Sequence, residues 1–341
     1  MSPPPAAALS PVATDSLHLL APLSGEAHEA LLRRNAFLAA IAGAICIGFS
    51  AIFVRLADTG PAAIGFWRLL FALGPTAVWA YAEYRVGQAR RRRAGAAGPL
   101  RLFTVRQFFL AAFAGLFFGA DLIAFHFGLV RTTTANALLL GNLAVVFVLI
   151  FGWLCLGERP TRGLMAALVL ALVGTALIIS RSAGAHGADA TSLIGDAFCV
   201  VAAVSYGGYM IVTRTLRRND GAGGVGLGGG MASFISSATG AIACLVWAVA
   251  TDEVIVPQSL KGLLAVVGLG LVAHAAGQGL TTVALGRLPA GLVSTVLLLQ
   301  IVVGTSLAAL LFGEIPSLMV MIGGMMVVAG VVVARPPRAP A

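Results

Sequence analysis

Apolar runs of about 20 residues follow one another along most of this chain, and they constrain its fold more than any motif does. A helix of that length crosses the hydrocarbon core of a bilayer, roughly 30 Å thick, at about 1.5 Å per residue. The composition agrees, because 59% of the 341 residues are hydrophobic and only 10% are charged, which is unlike a soluble domain. The sequence therefore predicts an all-α membrane protein.

The runs predict ten transmembrane helices. Their bounds are 36–54, 61–82, 108–130, 132–156, 163–180, 194–213, 231–250, 262–285, 288–312 and 317–335. The weakest breaks are at Arg131, between the third and fourth spans, and at Arg287, between the eighth and ninth. These breaks lie 156 positions apart, so they also indicate an internal repeat.

A turn sequence repeats at the same distance. Gly-Glu-Arg-Pro-Thr at 157–161 returns as Gly-Glu-Ile-Pro-Ser at 313–317, and Gly174 matches Gly330. A repeat over half of a hydrophobic chain is typical of transporters. We therefore predict one five-helix repeat over residues 35–181 and another over residues 193–335. Residues 1–34, rich in Pro, Ala and Ser, are predicted to be a disordered cytoplasmic tail, and residues 336–341 a second cytoplasmic tail.

The arginines predict the orientation. With the N-terminus inside, 17 of the 22 basic residues fall on the inner side, and four (Arg55, Arg131, Arg181 and Lys261) fall outside. The positive-inside rule favours this orientation. Because five spans per repeat is an odd number, the second repeat enters from the opposite face and the repeats are inverted. We expect a multi-pass protein of the inner (plasma) membrane with both termini cytoplasmic.

Several segments match other classes only superficially. The basic run at 89–93 is interpreted as a positive-inside loop that touches anionic lipid, so no nucleic acid is expected. The GxGxxG match at 221–226 has no βαβ context and is interpreted as a flexible loop. No GxxxxGK[ST] motif is present, so transport needs another energy source. No cofactor or metal is expected, because the cysteines stand singly in apolar spans, at Cys46, Cys155, Cys199 and Cys244.

Several segments together resemble the EamA-type transporters of the drug/metabolite transporter superfamily. They are Phe66-Trp67-Arg68, the stretch from Thr133 to Ala144, both Gly-Glu-x-Pro turns, and the stretch from Gly277 to Ala290. The resemblance covers about residues 36–335. It implies ten helices in two inverted five-helix repeats that move small metabolites, and it says little about the substrate.

The chain departs from the family at two positions. Members commonly carry a proline 13 residues before each turn glutamate, and here Val145 and Ile301 stand instead. Proline removes a helical hydrogen bond and permits a kink. Both helices are therefore expected to be straighter than in the family.

Charged residues inside the spans are the first site candidates, because burying a charge there costs at least about 2.5 to 3.5 kcal/mol. Arg68 either clamps a carboxylate or phosphate or snorkels outward. Asp121 binds a substrate amine or carries a proton, or else pairs with a residue such as Arg68. His126 lies about 140° around the helix from Asp121. It is favoured as a hydrogen-bonded structural histidine.

Polar residues of the second repeat form another candidate group. His274 and Gln278 are four residues apart and share one helix face, and Gln300 is expected to join them from the next span. The group either lines a substrate path, with His274 able to couple proton movement, or holds helices together by hydrogen bonds.

Four further residues complete the predicted substrate pathway. Asn136 and Asn142 either bind a polar substrate or hydrogen-bond between helices. Trp67 and Tyr206 either contact an apolar or aromatic substrate or belong to the core. At the repeat distance the candidates differ, because His274 matches Phe118 and Asp121 matches Gly277. The predicted site is therefore asymmetric.

The sequence as a whole predicts a secondary transporter working by alternating access, favoured as an exporter of small metabolites such as amino acids. Its expected partners are a small-molecule substrate and the lipid bilayer, and a homodimer is left open. An intramembrane enzyme and a non-transporting membrane scaffold or sensor are the alternatives. The enzyme alternative lacks a serine-centred or HExxH motif in any span.

Overall fold

The computed structural model describes residues 25–95, 102–129, 131, 132, 137, 140–180, 190–218, 227–312 and 318–334. Every regular element in these residues is a helix. The first half holds α1 (Gly25–Gly48), α2 (Ser50–Leu56), α3 (Pro61–Arg93), α4 (Val105–Leu129), α5 (Ala144–Leu156) and α6 (Arg162–Ser180). The second half holds α7 (Ala190–Arg217), α8 (Gly229–Ala250), α9 (Leu260–Gly268), a π-helical segment (Leu269–Gln278), α10 (Gly279–Leu285), α11 (Ala290–Leu297), α12 (Leu299–Phe312) and α13 (Leu318–Val333).

Seven helices of the described residues are long and apolar enough to cross a membrane. They are His28–Leu56, Pro61–Arg93, Val105–Leu129, Leu193–Arg217, Gly229–Ala250, Leu260–Leu285 and Ala290–Leu311. Shorter apolar helices cover Leu140–Leu156, Arg162–Leu177 and Met321–Val333. The prediction of an all-helical membrane protein is confirmed.

Some helices extend beyond the predicted spans. α3 continues to Arg93, so the interpretation of the basic run as a loop is wrong, because its four arginines form the last turn of the helix. Cations are favourable there, since the unpaired carbonyl groups of a helix C-terminus carry partial negative charge. Pro61 suits the start of α3, because the first helical residue needs no N–H donor. α1 likewise begins at Gly25, before the predicted first span.

The helices of the two halves interdigitate. The most extensive interfaces all join one half to the other, namely α4 with α7, α3 with α8, α6 with α13, and α4 with α8. For each interface, the helices at the equivalent positions of the other half are also in contact. The α4–α7 pair corresponds to α1 against the π-helical segment and α10, and the α4–α8 pair corresponds to α3 against the π-helical segment. Neither half therefore buries its own helices without the other.

The α6–α13 interface repeats the same contact twice. A Cβ built on Gly174 would lie 2.5 Å from the carbonyl oxygen of Gly323, and one on Gly330 would lie 2.8 Å from that of Ala167. Each of these residues stands 156 positions from its counterpart, so the two contacts are copies. The partner number falls along α13 as it rises along α6, which means that the two helices run antiparallel.

The first turn of α8 is capped by Glu83 of α3, and the first turn of α3 by Glu253, three residues beyond the end of α8. One carboxylate oxygen of Glu253 accepts the backbone N–H groups of residues 62–63, at 2.8 and 3.0 Å. The two oxygens of Glu83 accept those of residues 229–230, at 3.1 and 3.0 Å. First-turn N–H groups have no partner within their own helix and favour a negative charge. The two acceptors satisfy them at opposite ends of one antiparallel pair.

The first Gly-Glu-x-Pro turn also joins the halves. Gly157 ends α5 with a φ of 66°, a conformation that glycine adopts without strain. The Glu158 carboxylate accepts a hydrogen bond from Arg214 Nε at 2.8 Å and another from the Ala290 backbone N–H at 2.9 Å. This turn therefore connects α5 to α7 and α11. Its second copy, at 313–317, lies outside the described residues.

Adding a methyl group at either repeated glycine tests the reciprocal α6–α13 contact. Gly174→Ala and Gly330→Ala should each lower the free energy of unfolding by about 1 to 3 kcal/mol, because a Cβ there would press on backbone. Gly163→Ala, where a Cβ meets nothing within 4 Å, should leave stability unchanged or slightly raised. Unfolding midpoints in detergent measure all three. Equal midpoints for the three variants would contradict this packing.

A double-mutant cycle tests the ion pair at the first turn. The side chains of Arg214 and Glu158 are only 11% and 14% exposed, so Glu158→Gln with Arg214→Gln should show a coupling of about 1 to 2 kcal/mol. The control pair is Arg287 with Glu29, separated by 3.8 Å and 46% and 60% exposed. Its coupling should be close to zero. A coupling no larger for the buried pair would show that the turn does not hold the halves together.

Candidate functional site

Phe118 of α4 lies at the centre of a buried group of side chains, itself only 2% exposed. The Arg68 guanidinium carbon is 5.5 Å from the centre of its ring. The ring centres of Tyr209, His274 and Tyr206 lie 4.8, 5.2 and 6.2 Å away. These five residues, called here the Phe118 cluster, come from α3, α4, α7 and the π-helical segment.

The repeat explains why Phe118 and His274 meet. They occupy equivalent positions, 156 residues apart, and they are in contact. Because one belongs to the first half and the other to the second, the Phe118 cluster lies where the two halves meet. The two equivalent residues have different chemistry.

Arg68 carries its charge deep into the protein. It is 9% exposed, and its Nε atom is buried without a hydrogen-bond partner in the part of the chain that the structure describes. Asp121, His126 and His274 all lie within range of its electrostatic field. Arg68 thus links the sequence candidates of both repeats.

Asp121 and His126 stand on different faces of α4, as their spacing predicts. Asp121 is half-buried, one turn after Phe118, and interacts electrostatically with Arg68. His126 is 8% exposed and lies beside the backbone of Pro61, at the start of α3. Its Nδ1 atom has no partner among the described residues. The structure brings both near Arg68, but only Asp121 adjoins the Phe118 cluster along α4.

His274 and Gln278 belong to the π-helical segment, a rare wider winding that is frequent at functional sites. The His274 Nε2 atom lies 2.9 Å from the Ser237 hydroxyl of α8. Gln278 donates from Nε2 to the Tyr206 hydroxyl at 3.5 Å. His274 Nδ1 and Gln278 Oε1 are buried without a partner in the described residues. Each side chain is thus held by one polar atom and leaves the other unused.

Unpaired buried polar atoms concentrate on the predicted pathway. Eight such side-chain atoms occur in the described residues, and four of them belong to Arg68, His126, His274 and Gln278. A buried polar atom without a partner costs about 1 to 3 kcal/mol, so proteins seldom retain one without a reason. A polar ligand would supply the missing partners.

Trp67 has a different environment from its neighbour Arg68. Its indole N–H donates to the carbonyl oxygen of Ile255 at 2.7 Å, and its ring stacks on Phe71 at 5.3 Å. The contact ties α3 to the segment between α8 and α9. This contact favours the core alternative for Trp67, and its place on the substrate pathway stays a prediction.

Of the remaining predicted residues, Gln300 has no described contact with the Phe118 cluster. Gln300, at the start of α12, is half-buried, and its backbone lies against Gly48 of α1. The described contacts give it no bond to His274 or Gln278, so the expected trio is not formed. Asn142 is half-buried just before α5. Asn136 lies outside the described residues.

Sequence reasoning missed Phe118, Tyr209 and Ser237 as members of the site. In the sequence, Phe118 is only the apolar counterpart of His274. That the two side chains touch can be seen only in the folded structure. Tyr209 follows Tyr206 by three residues, a spacing that shares one helix face. Ser237 belongs to a hydroxyl stripe with Ser233 and Ser236 at helical spacing. These spacings could have identified Tyr209 and Ser237.

In the described residues, no group of three or more His, Cys, Asp or Glu side chains is placed to hold a metal ion. Helices of membrane length and two halves that interdigitate are the architecture of a multi-pass membrane protein. The chain belongs to the EamA-like transporter family, whose model matches residues 34–180 and again residues 193–335. This family is part of the drug/metabolite transporter superfamily.

Individual proteins support the same assignment. The chain is 26% identical over 210 residues to an uncharacterized transporter of Clostridium kluyveri, a match that covers 61% of this chain and 65% of that protein. The matched part is therefore less than two thirds of that transporter. A solved crystal structure covers 88% of this chain and 96% of its own, with a TM-score of 0.67 and 19% identity. At that identity it supports the fold alone. The comparisons give no support for a homodimer.

The position of Trp67 gives a test. Trp67→Phe keeps an aromatic ring but removes the indole hydrogen bond to Ile255, so it should lower the free energy of unfolding by about 1 kcal/mol. Transport should be retained, because the bond that is lost goes to Ile255 and not to a member of the Phe118 cluster. Unfolding midpoints and flux through liposomes measure the two effects. A variant with native stability and lost flux would place Trp67 on the substrate pathway.

Proposed function

We propose that this chain is a secondary transporter of the inner membrane that exports small metabolites such as amino acids by alternating access. Its frame has ten transmembrane helices in two inverted five-helix repeats, with both termini in the cytoplasm. The substrate binds at the Phe118 cluster. The observation that carries the proposal is the set of unpaired buried polar atoms in and beside this cluster, where the two halves meet, namely Arg68 Nε, His274 Nδ1 and Gln278 Oε1.

Two features support the inverted frame. The seven long and three shorter apolar helices add up to ten, the number that the sequence predicts. Equivalent helices run antiparallel in two places, at the repeated glycine contacts of α6 with α13 and at the mutual caps of α3 with α8. Equivalent elements that run in opposite directions are what inverted repeats require. The arginine distribution supports cytoplasmic termini.

The polar atoms in and beside the Phe118 cluster suggest how a substrate binds. Arg68 offers a cationic donor for a carboxylate or phosphate. Asp121, which interacts electrostatically with Arg68, would bind an amine or carry a proton. Gln278 Oε1 would accept a hydrogen bond from the substrate. A small molecule with both an acidic and a basic group, such as an amino acid, matches this set.

One contact favours a different function and needs its own test. Ser237 and His274 form the serine–histidine pair that a hydrolase uses, 2.9 Å apart. The serine, however, is 1% exposed in the middle of α8, where backbone N–H groups are used by the helix and cannot form an oxyanion hole. A fluorophosphonate probe should therefore leave Ser237 unlabelled. Labelling of Ser237 would favour the enzyme alternative.

The substrate is found by comparing metabolites inside and outside cells that lack or overproduce the protein. Purified protein in liposomes should then move that substrate without ATP. Arg68→Gln and Asp121→Asn should each reduce flux about tenfold or more, because each removes a buried polar contact. Arg287→Gln and Asp252→Asn make the same chemical changes at exposed positions and should leave flux unchanged.

Native flux in both Arg68→Gln and Asp121→Asn would remove the Phe118 cluster from the substrate pathway. Flux that stops without ATP would contradict secondary transport. The first outcome concerns only the site, and the second concerns the energy source.

A further inference from the structure

The Ser237 hydroxyl has one hydrogen-bond partner in the described residues, the His274 Nε2 atom. Its neighbours on the same stripe bond elsewhere, because Ser236 donates to the backbone of Ser233 and the Ser233 hydroxyl bonds to Thr282. Ser237 is 1% exposed. Solvent therefore does not offer its hydroxyl another acceptor.

This geometry decides which nitrogen of His274 carries the hydrogen. A buried hydroxyl that fails to donate loses a hydrogen bond and keeps the cost of burial. Ser237 therefore donates, and His274 Nε2 accepts. A neutral imidazole with an accepting Nε2 carries its hydrogen on Nδ1. The Nδ1–H group then becomes a fixed donor, buried and without a partner among the described residues.

Arg68 supplies a second unused donor, and both donors belong to side chains beside the Phe118 ring. Its Nε atom is buried without a described partner, and its guanidinium lies 5.5 Å from the Phe118 centre, while the His274 ring lies 5.2 Å from it. The other titratable groups that interact with Arg68 are Asp121 and His126 of α4, Tyr206 and Tyr209 of α7, and Cys244 of α8. None of them bonds to either unused donor.

We propose that Arg68 and His274 form an oxyanion subsite, in which an oxygen of a substrate carboxylate or similar anion accepts from Arg68 Nε and His274 Nδ1. Ser237 is its positioning residue, because it fixes the hydrogen on Nδ1. Cationic and neutral donors that converge on one anionic oxygen bind it more strongly than neutral donors alone. The inference rests on the proposed function for its biological meaning, but its chemistry is testable without a known substrate.

Nitrogen NMR tests the tautomer. The full-length protein is labelled with ¹⁵N-histidine and placed in lipid nanodiscs, and the spectrum of His274→Gln identifies the His274 signals among the five histidines. We expect a protonated Nδ1 and an unprotonated Nε2. Ser237→Ala should move the hydrogen toward Nε2, and Ser237→Thr, which keeps the hydroxyl, should restore the native pattern.

Ser233→Ala is the matched control on α8 and should leave the His274 signals in place. A protonated Nε2 in the native protein would overturn the proposal. An unchanged spectrum in Ser237→Ala would also overturn it, because the hydroxyl would then have no positioning role.

Acetate, the smallest carboxylate that resembles the proposed group, tests the subsite. Titrated acetate should shift the His274 Nδ1 signal in a saturable way, and acetamide, its uncharged analogue, should not. Arg68→Gln should abolish the shift. The His126 Nδ1 atom, also buried and unpaired but held beside Pro61, should not respond.

No acetate shift, or an equal shift with acetamide, would refute the subsite. Failure of the proposed function has a different signature. A protein that binds acetate at His274 but moves no metabolite through liposomes would contradict the transport proposal and leave the subsite standing.

Discussion

The structure depends on helices that bury their surfaces against the other half of the chain. Either half alone would leave most of these faces uncovered, because its own helices contact one another only weakly. In a bilayer, close packing and hydrogen bonds rather than apolar burial hold helices together. The repeated glycines Gly174 and Gly330 and the reciprocal carboxylates Glu83 and Glu253 provide both. The interface between the halves is thus the core of the protein.

A polar cluster in such an interface is costly unless it has a use. Arg68 and His274 lie there with unpaired donors, although apolar residues of similar volume would pack without this cost. Equivalent positions of the two halves also meet at this interface. Phe118 and His274 are such a pair, one a packing ring and the other a hydrogen-bonding ring. The symmetric frame therefore holds an asymmetric site.

Much of this could be predicted from the sequence, because membrane helices follow from local composition. The repeat, the helical class and the family were visible in apolar runs and turn motifs, and Arg68, His274 and Gln278 stood out as buried polar residues. The contacts between these residues join different helices, so they can be seen only in the folded structure. Ser237 orients His274 from a different helix, and no spacing in the chain predicts that pairing. For Trp67 the sequence left a substrate contact and a core position open, and the hydrogen bond to Ile255 that favours the core depends on the fold.

The central claim is that the Phe118 cluster belongs to a pathway that opens alternately to both sides of the membrane. The most direct measurement is thiol labelling of Tyr206→Cys, a member of the cluster, in a variant whose native cysteines are replaced by serine, with membrane-impermeant reagents applied to sealed vesicles of each orientation. The account predicts labelling from both faces, each protected by the transported substrate. Labelling from neither face, or from one face under every condition, would contradict it.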